Sequence, residues 1–116
     1  MTKNIFFQHN IERKSDAAAI TFSKHDFIHH HCRNDLIERM QLMNLNPKIA
    51  VDLGCAIGSS SRFLAKHYKK CHIFSLDLSL NMLIESRKKR SFLTPISEIQ
   101  ASANSLPFKN NSIDLI

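Results

Sequence analysis

Val51-Asp52-Leu53-Gly54-Cys55-Ala56-Ile57-Gly58 decides how the rest of this 116-residue chain reads. The apolar run Ile49 to Leu53 leads into it, and the serine-led segment Ser59-Ser60-Ser61-Arg62-Phe63-Leu64-Ala65 leads out. The run is short and rich in branched residues, so it reads as a buried strand. The following segment, Ser59 to Lys69, reads as a helix whose serines suit an N-cap. Gly54 and Gly58, the only glycines in the chain, let the backbone turn tightly and approach a ligand closely. A helix that starts there offers free N–H groups to an anionic part of that ligand. The carboxyl end of such a strand is where ligands bind in open α/β sheets.

Working outward, His72 to Asp77 reads as a second strand, and Ser79 caps a helix with Leu80, Leu83, Ile84 and Arg87 along one face. Thr94-Pro95 breaks that helix, Ile96 to Ala101 forms a third strand, and after a turn at Leu106 to Asn111 a fourth begins at Ser112. Upstream, Ile28, Leu36, Ile37, Met40 and Met43 recur at helical steps between about Ser15 and Leu45. One long helix, or two with a bend near Phe22-Ser23, both satisfy the pattern, and Asn46-Pro47 ends it. Residues 1–14 show no period and read as a mobile lead-in. The chain thus divides into an N-terminal helical segment, 1–46, and an α/β part, 47–116, with a parallel sheet and crossover helices. It stops on the apolar strand Ile113-Asp114-Leu115-Ile116, which implies truncation after strand 4. The edge left bare would favour self-association.

Two acids sharpen the reading of the glycine turn. Asp77 lies nineteen residues past Gly58, at the end of the second strand, where a carboxylate can accept hydrogen bonds from ribose hydroxyls. A dinucleotide site would share that feature, but Asp52 at the loop would repel a pyrophosphate and suits an ammonium instead. A bare structural turn would account for the glycines without explaining why three features coincide.

Composition narrows the setting. No run of about 18 apolar residues could span a membrane, no membrane partner is expected, and no secretory signal opens the chain. The cysteines Cys32, Cys55 and Cys71 form no Cys-x-x-Cys pair, which argues for a reducing cytoplasm and against a zinc site. Cys55 reads as a small packing residue, and Met40, Met43 and Met82 as core fillers. His25, His29 and Cys32 have metal-ligand spacing but no completing acid, so they read as a polar helix face and no metal is expected. The net charge of +6 and pI of about 9.5 favour acidic partners. The run Arg87-Lys88-Lys89-Arg90 reads as a solvated helix end that suits the macrodipole. No aromatic-interleaved basic patch or helix-turn-helix signature supports nucleic-acid binding.

The quoted segments resemble a known family. VDLGCAIGSSSRFLAKHY resembles the first motif of class I S-adenosylmethionine (SAM) methyltransferases, usually Asp-Leu-Gly-Cys-Gly-x-Gly. FSLDLSLNMLIESR resembles their second strand and following helix, and ASANSLPFKNNSIDLI their third and fourth strand region. Upstream, SDAAAITFSKHDFIHHHCRNDLIERM is similar to the N-terminal helices of the malonyl-acyl-carrier-protein O-methyltransferases of biotin synthesis.

The resemblance implies a Rossmann-like fold with strand order 3-2-1-4 and SAM as cofactor. Asp52, Gly54, Ala56, Gly58, Asp77, Leu78 and Ser102 would hold SAM, and no catalytic residue is identified. The acceptor would be a malonyl carboxylate on an acidic acyl-carrier protein. Two positions depart from the pattern. Ala56 stands where the family has its middle glycine, and Ser102 where it has an acid that bonds the adenine amino group. Both changes imply weaker cofactor binding. A non-catalytic remnant or binding protein, and a related enzyme with another acceptor, are therefore the alternative readings.

Overall fold

The computed structural model describes residues 2–116, and their side chains except those of residues 2–7, Ser23 and His25. Three helical pieces come first: α1 (Thr2–Ala18), α2 (Phe22–His25) and α3 (Phe27–Gln41). An alternating unit follows: β1 (Ile49–Leu53), α4 (Ser59–His67), β2 (His72–Asp77), α5 (Leu80–Lys89) and β3 (Ile96–Gln100). β2 pairs in parallel with β1 on one side and β3 on the other. Short apolar strands separated by helices can pair only this way, because each helix carries the chain back to the starting end of the sheet.

The fourth segment lies beside β1, opposite β2, as the order 3-2-1-4 requires. It makes only one parallel bridge, Ala50 to Leu115, rather than the expected strand from Ser112. Two backbone hydrogen bonds fix it: Val51 N–H to the Leu115 carbonyl at 2.9 Å and Asp114 N–H to the Ile49 carbonyl at 3.0 Å. The Asp114 carboxylate also accepts the amides of Lys48 and Ile49, which holds its pKa below the ordinary carboxylate value.

The sheet buries Ala50, Ile73 and Ile96 against Ala65 and Cys71, with Leu64, Tyr68 and Leu115 at the margin. A second cluster joins Ala19, Ile57 and Met82 and ties the N-terminal helices to the glycine loop. Met82 is therefore a core residue, whereas Met43 is exposed. On α3 only Ile37 is buried, and Ile28 and Leu36 face outward. Of the two readings, the bent one holds: the helical run breaks on either side of Phe22-Ser23, at Ala19–Thr21 and at Asp26, and it ends at Gln41, before Asn46-Pro47.

Residues expected to form a mobile lead-in belong to α1. Among the described residues, this helix makes several of its contacts through polar groups, which leave no hydrophobic period to read. Gln8 donates to Ser102 at 3.1 Å, and Gln100 donates to Glu12 at 3.4 Å. Asp16 accepts from the Ser79 hydroxyl and from the Asn81 amide.

α4 does not start on a serine cap. Gly58 occupies the N-cap in the left-handed region, at φ 76°, with no side-chain cap bond. Its lack of a Cβ matters twice, since an added Cβ would sit 2.0 Å from the Ser86 hydroxyl on α5. Ser79, by contrast, caps α5 as its position predicts, accepting the Met82 amide at 3.1 Å. Gly58→Ala should therefore destabilise the fold by about 2–4 kcal/mol, combining overpacking with left-handed strain. Adding Ser86→Ala should recover part of that loss in chemical denaturation, leaving the strain.

Candidate functional site

The glycine loop, from Gly54 to Gly58, is suspended from the end of β2. The Leu76 carbonyl accepts the amides of Gly54 (2.8 Å) and Cys55 (2.9 Å). The Asp77 carboxylate accepts the Ala56 amide on Oδ2 and the Ser79 amide on Oδ1, each at 2.9 Å. Each Asp77 oxygen keeps a lone pair for a further donor. Ala56 takes a left-handed conformation, φ 48°, despite its methyl group. That conformation costs an L-residue about 1–2 kcal/mol. Gly54, at φ 72°, has open space where a Cβ would stand.

Beneath the loop lies a chain of hydroxyls. Ser61 donates to Asp52 Oδ2 at 2.6 Å, so Ser75, 2.5 Å from the Ser61 oxygen, donates to it in turn. Ser61 and Ser75 are fully buried. Burial pushes the Asp52 carboxyl above its ordinary 3.8. The Ser61 hydrogen bond works against the shift, and the nearby Asp77 charge adds to it. Cys55 is buried, and burial first, then the charges of Asp52 and Asp77, drive its thiol pKa upward. It is a packing residue and not a nucleophile.

Two clefts flank the loop and share Gly54. The smaller, about 120 Å³, places Asp52, Ala56 and the α4 start at Ser59 and Ser60 opposite Arg33 and His29 of α3. The larger, about 360 Å³, gathers Asp77, Leu78 and Ser102 under Gln8, Ile11 and Ser15 of α1. Of the sequence-predicted residues, Asp52, Gly54, Ala56, Asp77, Leu78 and Ser102 line one or both clefts. Gly58 lines neither of these two clefts, and it lies against Ser86 of α5.

Arg33 and Gln8 were not legible as site residues, because nothing in the sequence says which turn of a helix will face the loop. Ser61 carried a weak signal as the third serine after the turn. Among the described residues no cluster of three His, Cys, Asp or Glu side chains could hold a metal. Cys32 is exposed, and the side chain of His25, part of the spacing noted above, lies outside the described residues.

Residues 50–116, more than half of the chain, match the family described as "Methyltransferase domain". The chain belongs to the methyltransferase domain family. The family implies SAM as methyl donor. Among curated relatives, the malonyl-[acyl-carrier protein] O-methyltransferase of Legionella pneumophila is 36% identical over 70% of this chain and 28% of its own length. Those of a Methylovorus species and Xylella fastidiosa are 29% and 26% identical over 91% and 97% of this chain. The chain spans about 38% of the length of each of these two. A chain from the solved complex of the Haloferax volcanii Trm112 methyltransferase activator with a methyltransferase superposes with a TM-score of 0.71. It is 23% identical, over 87% of this chain and 45% of its own. That likeness shows the Rossmann-like methyltransferase fold.

The half-buried Asp52 of this methyltransferase domain has a pH signature. Its pKa is raised in the folded state, so the protonated form is the one that folding favours. That contribution to stability is full below the ordinary 3.8 and is lost as pH rises through the raised value. Asp52→Asn keeps an acceptor for Ser61 and removes the half-buried charge. Its melting temperature should exceed the wild type's by more at about pH 7 than at about pH 4. Thermal unfolding across that range measures it.

Proposed function

We propose that residues 47–116 form the SAM-binding half of a methyltransferase that methylates the malonyl carboxylate of malonyl-acyl-carrier protein. One observation supports the cofactor part most: two clefts of opposite chemical character meet over the open face of Gly54. In the smaller, the Asp52 carboxylate suits an ammonium. Arg33 and the amide end of α4 suit a carboxylate. These are the two charges of an amino-acid moiety. In the larger, the free lone pairs of Asp77 suit the two ribose hydroxyls, and Leu78 offers an apolar surface to a base.

Ser102 fits this reading in a way its sequence position does not suggest. Its oxygen accepts from Gln8 at 3.1 Å and from the Asn104 amide at 3.2 Å. Both acceptor positions are thus taken, and the hydroxyl hydrogen remains for a ring nitrogen. The residue serves as a donor where an acid would be an acceptor.

A bound SAM supplies a sulfonium already activated for methyl loss. The chain's residues need only bind and orient, and no proton has to move within the two clefts. The acceptor assignment draws on the relatives, all named for malonyl-acyl-carrier protein, and on the positive charge of +6, which suits an acidic carrier. A second reading, cofactor binding without methyl transfer, draws on the strained Ala56 and on the substitution at Ser102.

Calorimetry with SAM and a methyl-transfer assay on malonyl-acyl-carrier protein separate these readings. SAM should bind the 116-residue chain. Arg33→Ala and Asp77→Ala should each weaken binding about tenfold, or about 1.4 kcal/mol. Ala56→Gly should strengthen it by relieving the left-handed strain. Loss of neither Arg33 nor Asp77 changing affinity would overturn the cofactor site. For the transfer assay this half is joined to the remaining length of a curated relative; a chimera that binds SAM yet leaves the carrier unmethylated would leave only the second reading.

A further inference from the structure

A cleft of about 410 Å³ lies away from the glycine loop, between the C-terminal ends of α4 and α5. Lys66, Lys69 and Lys89 line it together with the hydroxyl residues Ser91 and Thr94, and Leu93 stands at its rim. Two arginines at the same cleft are already committed. Arg90 is held on Glu98 by two hydrogen bonds, of 2.5 and 3.0 Å. Arg62 donates to the Ile57 carbonyl and to Ser59. Among the described residues the three lysines make no ion pair. Helix macrodipoles explain one or two cations at each helix end. They do not explain the pair of side chains that follows: Phe92 is 86% exposed and Leu93 78% exposed.

We infer that this face docks on an anionic phospholipid surface. Lys66, Lys69 and Lys89 take headgroup phosphates at the cleft, and Phe92 and Leu93 sink below the headgroups. Lysines that share a cleft with Leu93, next to the exposed Phe92, combine what such an interface attracts: cations for the surface potential and apolar area to bury. A protein partner would have to supply a fitted pocket for the tip. A nucleic acid could stack on Phe92 but has no use for Leu93. A free phosphate would use the lysines alone.

The topology makes the arrangement workable. α4 and α5 end where the chain returns to the starting ends of β2 and β3, whereas both cofactor clefts lie at the finishing ends of the strands. A molecule docked by this face keeps those clefts open to solution. The inference does not depend on the acceptor or the cofactor.

Vesicle sedimentation of the full 116-residue chain tests it, with phosphatidylcholine vesicles and with mixed phosphatidylglycerol–phosphatidylcholine vesicles. Binding to the mixed vesicles should be at least about tenfold stronger and should fall with added salt. The double variant Phe92→Ser/Leu93→Ser should lose about tenfold on the mixed vesicles, and Lys66→Ala/Lys69→Ala/Lys89→Ala at least as much. Thermal unfolding and SAM calorimetry of both variants should match wild type, since all five positions lie outside the core and the cofactor clefts. Equal binding to the two vesicle types would overturn the proposal. So would an apolar variant that binds like wild type while inorganic phosphate displaces the vesicles, which would mark a phosphate site. Tighter, Phe92-dependent binding of single-stranded RNA or an acidic peptide than of vesicles would overturn it in favour of that partner.

Discussion

Two neighbouring acceptors at the end of β2, the Leu76 carbonyl and the Asp77 carboxylate, gather the amides of Gly54, Cys55, Ala56 and Ser79. Everything at the site hangs from this set of bonds. A loop leaving β1 has no strand partner for its amides, and buried amides left unpaired would cost about 1–3 kcal/mol each. Routing them to β2 satisfies them and pins the loop across the tops of two strands. It also folds Ala56 into the left-handed region, because its N–H must point at Asp77. The same carboxylate then begins α5 by holding the Ser79 amide. Asp77 is a structural clamp first, and its remaining lone pairs face the larger cleft because the clamp fixes its orientation.

A second constraint works from below. α4 must come close enough to β1 and β2 for Ser61 to bridge Asp52 and Ser75, and close enough to α5 for Gly58 to lie against Ser86. Small hydroxyl residues at these contacts, Ser61, Ser75, Ser79 and Ser86, are all buried. They pack like small apolar residues, and Ser61 among them satisfies the half-buried Asp52. The Asp52 charge can therefore be held under the loop, at the cost of a raised pKa, and aimed at the smaller cleft.

Legibility in the sequence follows from these physical origins. β1, β2, β3 and the helices between them announce themselves, because strand and helix periods and glycine turns are local signals. Strand order follows from the resemblance. What the fourth segment lacks could not be read from its composition: Ile113 to Ile116 is apolar enough for a strand, yet only Leu115 bridges to β1. The N-terminal helices were read poorly for another reason. Among the described residues Gln8, Glu12 and Asp16 help to hold α1, and polar contacts leave no period. At the site, Asp52 and Asp77 were legible because their roles follow from position in the strand–turn–helix unit. Arg33 and Gln8 reach the clefts from elements distant in sequence, so tertiary placement alone reveals them. The serines after the turn showed that a helix starts there but misassigned their work, since Ser61 holds an acid and Gly58 takes the N-cap.

The polar docking of α1 also bears on how a ligand reaches the larger cleft. Gln8, Ile11 and Ser15 form one wall of it; among the described residues α1 is fixed by the hydrogen bonds of Gln8, Glu12 and Asp16 and by the packing of Ala18 beside Ala19, Ile57 and Met82. Each such bond contributes about 0.5–1.5 kcal/mol net, because water replaces it when it breaks. The opposite wall, formed by Leu76, Asp77 and Leu78 at the end of β2, belongs to the parallel sheet and cannot move without breaking the loop's suspension. The cleft thus has one wall that belongs to the sheet and one wall that α1 supplies. Ser102 sits between them, bonded to the α1 side through Gln8. A ligand that draws on the Ser102 hydroxyl leaves the Gln8 bond intact, since one uses the hydrogen and the other the oxygen. A donor bond from Ser102 to a ligand and the contact that holds α1 are therefore compatible.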